Sequence, residues 1–147
     1  MLTLEKPVAV WRPGNEEPKF GPVAYRLQKR WTKPLKLTTV LLASRKAANR
    51  FGGFGGKFKH RTQLTHDVHL AEIYLGYLKA DGSIAERWLG EEIAEKAKPA
   101  DKLPDATLVN GDGTANLIVE FGGSYDRRRV EKFHRFCERK SLPYELW

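Results

Sequence analysis

The chain has 147 residues, enough for one buried core with an extension, and 26 Lys/Arg against 18 Asp/Glu give it a net charge of +8. Its single cysteine excludes an internal disulfide and a cysteine-built zinc site, and it suits a reducing cytoplasm. No apolar run reaches the roughly 18 residues of a membrane span, and the N-terminus shows no secretory h-region, so no membrane partner and no secretion signal are expected.

The charge is unevenly placed. Residues 1–62 carry 14 Lys/Arg and 3 acids, a net of +11, whereas residues 63–147 carry 12 and 15, a net of −3. A basic N-terminal arm (1–62) followed by a mildly acidic globule (63–147) predicts a polyanionic partner, with nucleic acid favoured over a basic terminus that only aids solubility. An anionic membrane surface or ribosomal RNA would draw on the same charge.

Residues 1–22 hold Pro7, Pro13, Pro18 and Pro22 without a clear period and read as extended. Val23 to Lys36 places Tyr25, Leu27 and Trp31 among basic residues and fits either a short strand or a helix. Leu37 to Arg50 reads as a helix, capped by Thr38 or Thr39 and ended by Gly52. Its Arg45, Lys46 and Arg50 are candidate phosphate contacts. The glycine-rich stretch Phe51–Arg61 adds Lys57, Lys59 and Arg61, with Phe51, Phe54 and Phe58 free either to stack on bases or to dock on the domain; a glycine hinge is the simpler alternative.

Residues 64–80 make the clearest helix, with Leu70, Ile73, Tyr74, Tyr77 and Leu78 at helical spacing. His66, His69 and Glu72 lie on it as a metal site or, more simply, as capping and satisfied polar packing. Ile84–Trp88 predicts a strand, and Leu89–Lys98 a charged segment. Ala106–Val109 and Ala115–Phe121 predict two strands joined by Asn110-Gly111-Asp112-Gly113, a strong hairpin signal. Folding that hairpin brings Asp105, at the mouth of the first strand, beside Glu120, at the end of the second. Paired carboxylates there can hold a divalent cation through hard oxygen ligands.

Ser124, a candidate N-cap, and Asp126 open a last helix whose apolar face is Val130, Phe133, Phe136 and Cys137. Its other face is basic: Arg127, Arg128, Arg129, Lys132, Arg135, Arg139 and Lys140. Tyr144–Trp147 reads as a final short strand.

From His66 onward the predicted order is helix, three strands, helix, strand, with acids on the middle hairpin. This layout resembles the PD-(D/E)xK, restriction-endonuclease-like core: an α/β fold of αβββαβ order, here with a basic N-terminal extension. Leu103-Pro104-Asp105 resembles the Pro-Asp half-motif and Ile118-Val119-Glu120 the acidic end of the next strand. More narrowly, Leu64–Glu72, Leu103–Ala106, Val119-Glu120, the aromatic-basic helix and Leu142–Trp147 resemble the replication-relaxation family of plasmids and other mobile elements. That family places a winged-helix DNA-binding module before the nuclease-like part. Residues 23–62 are short for one and would supply it only in part.

The resemblance implies Mg²⁺ held by Asp105 and Glu120, the backbone carbonyl of Phe121 joining them, to activate a water at a scissile phosphate. Glu72 is a third candidate ligand. The motif also wants a lysine at position 122, where this chain has glycine. Lys132 or Arg128 of the last helix are the candidates to replace it. The alternative is structural: Asp105 opens a strand after proline, and Glu120 pairs with an arginine of the last helix.

The expected function is a DNA-binding protein of a plasmid or mobile element on a nuclease-like core without full catalytic machinery. Double-stranded DNA is the expected partner, and a homodimer is one candidate assembly that the sequence leaves open. Arg45, Lys46, Arg50, Lys57, Lys59, Arg61, Arg127 and Arg128 would make the phosphate contacts. Two alternatives stay open: a Mg²⁺-dependent DNA endonuclease, and an RNA- or ribosome-associated binding protein.

Overall fold

Short strands with alternating faces, flanked by amphipathic helices, account for the architecture of the computed structural model. It describes residues 4–33, 39–51, 61–91 and 103–147, with residues 61 and 62 as backbone only. In chain order the elements are β1 (Ala9–Trp11), α1 (Phe20–Lys29) with a 3₁₀ turn over Arg30–Thr32, α2 (Arg45–Phe51), α3 (Arg61–Ala80), α4 (Ile84–Arg87), β2 (Trp88–Gly90), β3 (Ala106–Val109), β4 (Ala115–Glu120), α5 (Arg127–Arg139) and β5 (Tyr144–Leu146). The strands form one mixed five-stranded sheet in the order β1-β5-β4-β3-β2. β4 and β5 run parallel, joined by the α5 crossover, and every other pair is antiparallel. No helix among the described residues is long and apolar enough to cross a membrane.

The period of two along β4 and β5 divides the interior into two cores. On one side Ile118, Tyr144 and Leu146, with Ala9 and Trp11 of β1, pack against Val23, Ala24 and Leu27 of α1 and Val130, Phe133 and Cys137 of α5. On the other, Ala106, Val119 and Phe121 pack against Ile73 of α3, joined by Tyr77, Trp88, Leu117 and Trp147. Glu120 follows the side of Ile118, and Phe121 the side of α3. The β3–β4 turn is closed by the Asp112 carboxylate, which accepts from the amide and hydroxyl of Thr114, while Gly113 takes φ +81°.

Several expectations are corrected. Residues 1–22 are not simply extended: β1 pairs with β5, Ala9 opposite Leu146, and α1 begins at Phe20. Pro22 sits in the first turn of α1, where its missing N–H costs no hydrogen bond. Val23–Lys29 is therefore helix, not strand. Of the helix expected over Leu37–Arg50, the described residues are helical only from Arg45, in α2, and the Ser44 hydroxyl, not Thr39, accepts from the amide of Ala47; Leu37 and Thr38 lie outside the described residues. Residues 39–44 stay irregular with Leu41 92% exposed, so no packing rewards a helix there. Ile84–Arg87 is a helical turn and only Trp88 of the expected strand is extended. The Asp81 carboxylate causes this by accepting from the amide and hydroxyl of Ser83 and from Arg87. Most of the glycine-rich stretch, with Lys57 and Lys59, and most of the charged segment after Leu89 lie outside the described residues.

Candidate nucleic-acid interface

The β3–β4 register, Ala106 opposite Val119, sets Asp105 level with Glu120. Each carboxylate accepts a backbone amide from the other strand. The Asp105 amide donates to Glu120 Oε2 at 3.2 Å, and the Phe121 amide donates to Asp105 Oδ2 at 2.7 Å. Beyond this exchange the two heads part. Asp105 turns to α3, where His66 Nε2 lies 3.1 Å from Oδ2. That hydrogen bond outweighs burial and holds the His66 imidazole up at about 9, so it is a cation at neutral pH. Glu120, 1% exposed, turns to the α5 side, where the Tyr125 hydroxyl donates to Oε1.

Glu72, the third expected ligand, bonds His69 Nδ1 at 2.9 Å on its own helix, and His69 packs on the Phe121 ring at 4.9 Å. The expected trio of Asp105, Glu120 and Glu72 does not gather. Among the described residues the group of three ligand-type side chains within reach of one another is Glu17, His134 and Glu138, where Arg135 pairs with both glutamates. Asp105 Oδ2 is engaged by an amide and an imidazolium, and the two Glu120 oxygens by an amide and a tyrosine hydroxyl. A divalent cation at the pair would compete with these donors and would meet the positive charge of His66.

Position 122 is closed as well. A Cβ there would lie 2.8 Å from Leu146 Cδ1 and 3.1 Å from Leu27 Cδ1, so α1 and β5 fill the space the motif lysine would need. Lys132 lines the cleft that contains Glu120, whereas Arg128 is exposed on α5 away from it.

The strongest electrostatic feature is α5. Asp126, rather than the expected Ser124, caps it by accepting from the Arg129 amide. Val130, Phe133, His134 and Cys137 are buried, and Arg128, Lys132, Arg135 and Arg139, spaced four, three and four residues apart, form a stripe on the opposite face. Glu17 and Glu138 neutralise Arg135, whereas Arg127, Arg128, Lys132 and Arg139 make no ion pair with a described acid. Arg45, Lys46 and Arg50 are exposed on α2, and Arg61 begins α3.

Two clefts lie beside this stripe. One, of about 530 Å³, is lined by Leu103, Pro104, Glu120, Tyr125, Arg129, Lys132, Phe133, Phe136 and Arg139. The other, of about 480 Å³, is lined by Trp31, Thr65, His66 and Phe121 through Tyr125, with Arg129. Sequence reasoning missed Tyr125 and the partnership of His66 with Asp105. The only signal for the latter was a histidine in the first turns of α3. No family model matches the chain, and neither a curated protein nor a solved structure shows a significant match to it.

Proposed function

We propose that the protein binds DNA through the cationic face of α5, supported by the basic residues of α2, on a nuclease-like core without hydrolytic machinery. The observation that carries this reading is the row of exposed, unneutralised cations, Arg128, Lys132 and Arg139, on a helix whose other face is locked in the core. Such a row matches a phosphate backbone and gives affinity without sequence discrimination.

The order α3-α4-β2-β3-β4-α5-β5, in which α4 is a single turn between α3 and β2, with β4 parallel to β5, supports the restriction-endonuclease-like assignment. The engaged carboxylates and the closed position 122 argue against hydrolysis. Asp105 and Glu120 act in this reading as reciprocal caps at the end of a strand pair. A plasmid or mobile-element setting rests on the family resemblance alone.

Gel retardation of duplex DNA over a salt series tests the proposal. Wild type should retard DNA at low salt and release it as salt rises, and a variant with Arg128, Lys132 and Arg139 all changed to Gln should lose most of that affinity while still melting cooperatively. Retardation unchanged in the triple variant would refute it.

A further inference from the structure

The two clefts are not independent, because Tyr125 and Arg129 belong to the walls of both. These two side chains stack, the guanidinium carbon 5.8 Å from the ring centre, and stand as a partition between two chambers of similar volume. Each chamber falls in the ~300–1,000 Å³ range of clefts that enclose a small ligand. Each combines cations with ring faces. On the α5 side are Lys132 and Arg139 with Phe136, whose ring also carries Lys140 at 5.3 Å. On the α3 side are the His66 imidazolium, Phe121 and Trp31, the last 38% exposed. Arg30 stands behind this second chamber, its guanidinium 5.5 Å from the Phe121 ring centre, with buried Nη1 lacking a hydrogen-bond partner.

We propose that these two chambers seat consecutive unstacked nucleotides of single-stranded DNA, with Tyr125 and Arg129 wedged between them. The inference rests on the DNA-binding reading and names the form of DNA the site takes. Duplex DNA keeps its bases stacked and could use only the outer stripe. An unpaired strand can also place bases against Trp31 on one side and Phe136 on the other, while its phosphates meet Arg129, Lys132 and Arg139. Aromatic faces alternating with cations along a groove are the physical requirement for single-strand binding, and stacking of this kind tolerates any base. Glu120 also lines the α5-side chamber, but it is 1% exposed and its carboxylate is taken up by the Tyr125 hydroxyl and the Asp105 amide.

Fluorescence anisotropy with a short labelled oligothymidylate and a blunt duplex of the same length tests this. Wild type should bind oligothymidylate about tenfold more tightly than the duplex, and Trp31→Ala and Phe136→Leu should each weaken that binding by about five- to tenfold. Phe136→Leu keeps apolar volume and removes only the ring, and a thermal melt of each variant separates loss of stacking from loss of fold. Lys79→Gln, exposed at the far end of α3, serves as the unaffected control. Equal or tighter binding of the duplex, or aromatic variants that bind like wild type, would overturn the proposal and leave DNA binding standing. Failure to bind either probe at low salt would overturn both.

Discussion

Gly122 lies hard against Leu146: a Cβ at position 122 would come within 2.8 Å of Leu146 Cδ1, with Leu27 of α1 pressing from the other side. A side chain at this position, the motif lysine included, would therefore have to push these two buried leucine side chains aside. Gly122→Lys should destabilise the fold by about 1–3 kcal/mol, the usual cost of overpacking a dense core. Urea denaturation would show a lower midpoint at unchanged slope. A variant as stable as wild type would mean that α1 can move aside.

Supercoiled plasmid incubated with Mg²⁺ or Mn²⁺ should stay intact with wild type and with Asp105→Ala alike, while both retard it. Nicking by wild type that is lost in Asp105→Ala and in EDTA would replace the binding reading with an endonuclease that uses Asp105 and Glu120.

His66 makes stability depend on pH with a definite sign. Its imidazole titrates near 9 in the folded protein against 6.5 ordinarily, so the folded state holds the proton more tightly. The contribution is complete below pH 6.5 and is lost as pH rises through 9. Asp105→Asn removes the partner and should lower the His66 titration, read by NMR, and flatten the melting temperature between these limits. A His66 resonance titrating near 6.5 in wild type would contradict the contact with Asp105.

Salt dependence should resolve the α5 stripe residue by residue. Removing a cation that neutralises one phosphate lowers the log–log salt slope by about 1. Arg128→Gln and Lys132→Gln should each do so, whereas Arg135→Gln, already paired with Glu17 and Glu138, should change the slope little.

Elements with a sustained period could be read from the sequence: the β3–β4 hairpin, α3 and α5, and β5 as the short apolar stretch after Pro143. β1, equally short, was hidden between Pro7 and Pro13 in a stretch without a clear period. α1 was hidden by Pro22, which looks like a breaker and is harmless in a first turn. The α4 turn depended on side-chain bonds of Asp81 that no period reveals. At the site, hairpin logic was enough to put Asp105 beside Glu120. The divergence of their heads was not readable, because it is decided by His66 and Tyr125, which reach the strand ends from α3 and the β4–α5 connection. The glycine at position 122 was visible as a departure, but its cause lies in Leu146 of β5 and Leu27 of α1, neither of them close to it in the chain.

The pairing of Ala9 with Leu146 also governs the order in which the chain can fold. Among the described residues β1 has no neighbour in the sheet except β5, and β5 reaches β4 only after the α5 crossover is made. During synthesis the early strand must therefore wait, with Trp11 unpacked, until residues 144–146 have left the ribosome. Closure over so long a separation is entropically slow. The hairpin and α5 are local, so contact order predicts that they form before the layer built by β1 and α1, whose Leu27 then closes on Gly122.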